Sequence, residues 1–209
     1  MTTANRLSLP AVLLMLGACA SGAGAPPTPA LPVAVSAAQE PLVPPGHGTL
    51  KQDEVTVSLR SGALLLKVTP LSETIIRLTA PDTYARLHGL AESRREAAAA
   101  ETFGTPELFL VSFFSYQPDV AFQPQDLQLV RQGRLLRPLT IVPVTNGWGR
   151  PMLQQQESQS AVYAFEGPID YDQPFTVRYD LVETDGWSAL IPKLREERNR
   201  VESRAGARD

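Results

Sequence analysis

The densest group of chemically capable side chains is acidic. Asp170 and Asp172 flank Tyr171, and Asp180, Glu183 and Asp185 follow closely. Two carboxylates two residues apart in an extended loop have the hard oxygen donors that calcium takes. The run Asp170-Tyr171-Asp172-Gln173 lacks the longer Asp/Asn/Gly ligand series of a calcium loop, so no metal site is expected. The same acids would serve a glycan hydrolase only if Asp170, Asp172 or Glu183 faced another acid ~5–10 Å away across a cleft. His88 has Glu92 one helical turn further on, a spacing that suits a base and its orienting carboxylate. No nucleophile motif accompanies them, because Ser61-Gly62 and Ser112 lack a Gly-x-Ser-x-Gly setting. Two histidines and one cysteine are poor stock for zinc chemistry or a Ser-His-Asp triad. Gly104, Gly147 and Gly149 are isolated turn glycines and form no phosphate-cradling loop. No catalytic residue and no cofactor is therefore expected.

One aromatic residue stands out as a contact. Asn146-Gly147-Trp148-Gly149 sets an indole between glycines. Such a ring either stacks on a sugar or a partner's apolar pocket, or folds over the end of the core while the glycines supply positive φ. Trp148 is the single ligand or partner contact the sequence nominates.

The only cysteine, Cys19, closes the run Leu16-Gly17-Ala18-Cys19. Before it lie a short apolar stretch from Leu7 to Leu16 and one cation, Arg6. A charged start, a short apolar core and small residues before the cut define a secretory signal. Leu16-Gly17-Ala18-Cys19 resembles a bacterial lipobox. The resemblance implies cleavage before Cys19 and acyl chains, palmitate among them, on its sulfur and new amino terminus. Two or three chains hold a protein firmly where one does not. Ala20 stands where an aspartate commonly marks inner-membrane retention, so the resemblance implies the outer membrane, facing the periplasm, in a bacterium with two membranes. The apolar stretch covers about half of the ~20 residues a spanning helix needs.

The expected organisation is a signal peptide over 1–18, a lipidated tether over 19–47, a domain over 48–186 and a charged tail over 187–209. Residues 20–47 are small, Pro-rich and nearly uncharged, a composition that buries too little to offset its ordering entropy. From Gly48 the rhythm is β. Val55, Val57 and Leu59 alternate with polar residues, Ser61-Gly62 turns, and Leu64, Leu66 and Val68 continue, predicting a hairpin. Over 71–101 the rhythm breaks. Ser72 and Glu73 open either a short helix or, through Ile75 and Ile76, a strand. Thr79-Ala80-Pro81-Asp82 is a helix start, and Tyr84, Leu87, Leu90 and Ala91 follow at helical spacing.

Residues 107–116 are the most apolar segment, with apolar side chains on both faces, which predicts a central strand covered on both sides. Phe113 and Phe114 are both expected in the core. Further strands are predicted around Leu127–Val130, Leu139–Val142, Ala161–Phe165 and Phe175–Val182, for about seven or eight in all. The C-terminal charges, with Glu196 and Arg200 four apart, predict an exposed helix laced by ion pairs. The fold class expected is mainly β, an immunoglobulin-like β-sandwich with a helical insert and a C-terminal helix. A net charge of −3 offers no broad basic field for nucleic acid. The function expected is a non-catalytic binding or assembly module on the cell envelope, its partner the membrane through Cys19 and another envelope protein or polymer. The alternative is a carboxylate-dependent envelope hydrolase acting on a glycan.

Overall fold

A computed structural model of the chain describes residues 42–100 and 104–207. Cys19 and the expected signal and tether, up to position 41, lie outside the described residues, whereas Val43, expected in the tether, is buried in the core. The described chain is mainly β, with eleven strands in three sheets and three α-helices.

β1 (Val57–Ser61) and β2 (Leu64–Pro70) form the predicted hairpin, with Leu59 opposite Leu66. Val55 is not part of it: Gln52–Val55 is a 3-10 turn, and the amide of its cap residue, Lys51, donates to the Glu54 carboxylate. α1 (Glu73–Ile76) resolves the Ile75-Ile76 ambiguity in favour of helix. α2 (Pro81–Ala99) starts with Pro81 in the first turn, but the cap residue is Ala80. The Thr79 hydroxyl instead donates back to the Ile76 carbonyl. The longest strand, β3 (Glu107–Ser115), is followed by β4 (Val120–Ala121), β5 (Leu127–Arg131), β6 (Arg134–Leu136) and β7 (Thr140–Pro143). Then come β8 (Met152–Leu153), β9 (Ser158–Phe165), β10 (Thr176–Tyr179), β11 (Val182–Thr184) and α3 (Gly186–Gly206). The single strand expected over Phe175–Val182 is thus two strands. Asp180, with φ of 53°, reverses the chain and pairs Tyr179 with Val182.

The larger sheet has the order β1-β2-β3-β9-β7 and is antiparallel throughout. The second has the order β11-β10-β5-β6, and β4 pairs only with β8. β3 is central, as its two-sided apolar pattern predicts. Phe109, Val111 and Phe113 join Leu66, Val68, Ala161 and Tyr163 in one core with Leu127, Leu129, Val177 and Tyr179 of the second sheet. On the opposite side of the larger sheet, Leu108 and Leu110 of β3 and Val162 and Ala164 of β9 pack under Leu87, Ala91 and Ala98 of α2. Helical and strand periods meet here: a stripe at 3.6 residues covers alternate residues of two strands.

The C-terminal helix is docked as well as charged. Trp187, Ile191, Leu194 and Val201 of α3 lie on one stripe and enter the main core. The Trp187 ring stacks on Phe175 at 4.9 Å, and its indole N–H donates to the Tyr171 carbonyl at 3.0 Å. Glu197 lies on the same stripe and is 1 % exposed. Its Oε1 accepts from the Thr49 amide, the Thr49 hydroxyl and Arg204, each at 2.9 Å. Burial raises the carboxyl's pKa, but the Arg204 and Thr49 hydrogen bonds outweigh it and hold the group below its ordinary range. This carboxylate joins the end of the chain to its first described strand-like segment. There Leu50 bridges Thr79, and Gly48 lies so close to Leu78 that a Cβ would sit 2.2 Å from its carbonyl carbon.

Candidate binding face

The outward side of the larger sheet is divided in two. Cross-strand register places Arg60, Leu65, Phe114 and Ser158 in one row across β1, β2, β3 and β9. Ser58, Lys67, Ser112 and Ser160 form the next row. One row further, Leu110 and Val162 begin the part that α2 covers. The outward residues of β3 therefore run Leu108, Leu110, Ser112, Phe114, and those of β9 run Ala164, Val162, Ser160, Ser158. Both strands change from apolar to hydroxyl at the same row. The helix covers the apolar half, and the hydroxyl half is bare.

This bare half is a shallow cavity of about 350 Å³ lined by Leu65, Lys67, Ser112, Phe114, Tyr116 and Ser158. Phe114, expected in the core beside Phe113, belongs to this surface, because adjacent residues of a strand point to opposite sides of the sheet. It is half-buried, with Tyr116 edge-on at 4.6 Å. Tyr116 is 53 % exposed, and the Arg60 guanidinium lies 5.7 Å from its ring centre. The Ser112 and Ser160 hydroxyls hydrogen-bond at 2.7 Å. Lys67 pairs with Asp53 at 2.8 Å, whereas no carboxylate pairs with Arg60 among the described residues.

Trp148 sits at the same end of β3 but on the inward side. Its half-buried indole lies 6.2 Å from Phe113, 6.1 Å from Phe122 and 6.5 Å from Tyr163 by ring centres. Gly147 and Gly149 have φ of 82° and 92°, the positive values the glycine flanks imply. Close by in the chain, the Arg150 guanidinium lies against Gly147 and binds Glu157.

The acids do not gather. Asp172 faces Arg198 at 3.0 Å and Arg195 at 3.7 Å on α3, and Asp170 accepts the Asp172 amide at 3.0 Å. Tyr171 is buried and donates to Glu107 at 3.0 Å. Burial raises the Glu107 carboxyl above its ordinary range, and the Tyr171 hydrogen bond only partly offsets it. Glu183 lies opposite Arg178 in the β10–β11 pair. His88 pairs with Glu73, Nδ1 to Oε1 at 2.7 Å, rather than with Glu92. Glu73 also holds Arg77 at 2.5 Å and accepts from Tyr84 at 3.3 Å, which ties α1 to α2. Burial raises the Glu73 carboxyl's pKa, but Arg77 and His88 outweigh it and lower it overall. No group of three or more His, Cys, Asp or Glu among the described residues is placed to hold a metal ion. Asp126 and Asp180 line a second cleft, of about 330 Å³, beside Tyr179.

Sequence reading missed the bare half-face because it weighed the apolar content of residues 107–116 as a whole. The signal was present as Ser112 and the Ser158-Gln159-Ser160 alternation, which mark where the outward side loses its cover. No family model matches the chain, and neither a curated protein nor a solved structure shows significant similarity to it. No described helix is long and apolar enough to cross a membrane.

Proposed function

We propose that this chain is a cell-envelope lipoprotein, tethered through acyl chains on Cys19, whose immunoglobulin-like β-sandwich is a non-catalytic binding or assembly module. The observation that carries the reading is the uncovered half of the larger sheet. Nearly every other apolar side chain of that sheet is packed away, yet Leu65, Phe114 and Tyr116 are left at one surface beside two cations. Exposed aromatic clusters of this kind mark interaction sites. The carboxylates support it too, since Glu73, Asp172, Glu107 and Glu197 are each occupied by structural partners. Trp148 adds a second contact at the same end of the domain. In a bacterium with two membranes the module would hang from the outer membrane into the periplasm.

A photo-crosslinking residue at Ser112 in intact cells, followed by mass spectrometry, tests the reading. Capture from Ser112 but not from Leu181, which is 85 % exposed on the second sheet, is the expected result. Equal capture from both positions, or from neither, overturns it. The competing reading, a carboxylate-dependent hydrolase, is favoured only by the Asp126–Asp180 cleft. Glycan release that disappears in both Asp126→Asn and Asp180→Asn would establish it.

A further inference from the structure

We propose that the bare half-face binds an acidic polysaccharide strand. This names the partner class for the binding-module reading and rests on it. A sugar ring has an apolar C–H face and a rim of hydroxyls. It is recognised by an aromatic plane beside groups that both donate and accept hydrogen bonds. Tyr116 supplies the plane, held edge-on against Phe114. Ser112 and Ser158 supply hydroxyls, which do both.

Charge then selects among sugars. Lys67 is already paired with Asp53 at 2.8 Å, so the unpaired charge of the face is that of Arg60. The exposed Arg60 guanidinium lies 5.7 Å from the Tyr116 ring centre and pairs with no carboxylate among the described residues. A planar guanidinium matches a carboxylate or sulfate through two parallel N–H bonds. The aromatic ring and the cation are thus adjacent, as a sugar ring and its acidic substituent are.

Phe, Tyr and Arg are enriched at protein interfaces, but half of the lining here is serine and lysine, which are depleted there, so a protein partner fits less well. A second copy of this chain fits less well again. A two-fold contact would lay this patch on a copy of itself, which brings no free carboxylate from the patch to meet Arg60.

The test is titration calorimetry of the full-length lipidated protein in detergent. The probes are oligogalacturonate, a sulfated oligosaccharide and a neutral maltooligosaccharide of equal length. Expected is binding of an acidic probe at least tenfold tighter than the neutral one, weakening with added salt. Arg60→Ala and Tyr116→Ala should each lose about tenfold, and Arg60→Lys should recover only part of the loss. Leu181→Ser, on the other sheet, should bind as the parent does. Thermal melting of each variant separates lost binding from lost folding. Equal binding of acidic and neutral probes, no binding of either acidic probe, or unchanged binding by folded Arg60→Ala and Tyr116→Ala overturns the proposal. If those results come with Ser112 crosslinks intact, the binding-module reading stands and only the polysaccharide assignment falls.

Discussion

At the residue scale, one pair of neighbours shows how far side-chain direction outweighs composition. Phe113 is fully buried, 4.9 Å from Phe122 and 5.8 Å from Tyr179 by ring centres. Phe113→Ala should cost about 3–5 kcal/mol, the range for emptying a buried aromatic site. Phe114→Ala should cost about 1 kcal/mol or less, since it removes a half-exposed ring from a surface. Chemical denaturation of both variants checks this, and equal losses would place both rings in the core. Glu197 makes the opposite point, a charge where the sequence reads surface. Glu197→Ala leaves the Thr49 amide without its acceptor and takes from Arg204 one of two acceptors, the other being the His47 carbonyl, and should cost about 1–3 kcal/mol. Its carboxyl is held below the ordinary 4.5, so its contribution is present above that pH. The contribution is lost as pH falls through the lowered folded value. The parent should therefore lose stability below about pH 4.5 more steeply than Glu197→Gln, and acid titration of the melting temperature reads the difference.

At the scale of elements, the register of three strands against one helix decides what is covered. α2 brings Leu87, Ala91 and Ala98 to the rows of Leu108 and Leu110, and the serine row beyond offers nothing apolar to bury. The bare face is therefore the residue of a mismatch in extent between a helix and the sheet under it. The first described segment is fixed differently, by backbone contact. The Leu50 amide donates to the Leu78 carbonyl at 3.1 Å and the Ala80 amide to the Leu50 carbonyl at 2.8 Å. Gly48 meets that backbone with no room for a Cβ. Gly48→Ala should destabilise by about 1–3 kcal/mol or more, because the obstructing atoms are main chain and cannot rotate away. A thermal melt within a degree of the parent would show that this segment is free to shift.

At the scale of the whole molecule, the proposed tether and the domain are separate physical problems. Cys19→Ala should abolish lipidation and move the protein from the membrane to the aqueous phase on detergent partitioning, with the domain's melting unchanged. A variant that partitions like the parent refutes the anchor. The β character, the β1–β2 hairpin, the helical insert and the centrality of β3 were all legible in the sequence. Each rests on local periodicity and turn chemistry, which neighbouring residues set among themselves. The break at Asp180, the docking of α3 through Trp187 and Ile191, and the partner of His88 were not. The turn at Asp180 is local but hidden inside an apolar run, whereas the docking of α3 and the partner of His88 depend on which distant segment arrives. Glu73 is fifteen positions from His88, beyond any helical spacing, and Glu197 meets Thr49 across most of the chain. The candidate site lies between these cases. Its residues are spread over four strands and alternate with core residues in every one of them. Sequence determined that these strands have two faces; only the tertiary structure decided how far along the outward one the helix reaches, because coverage follows from where α2 packs and not from any property of Ser112 or Phe114 alone.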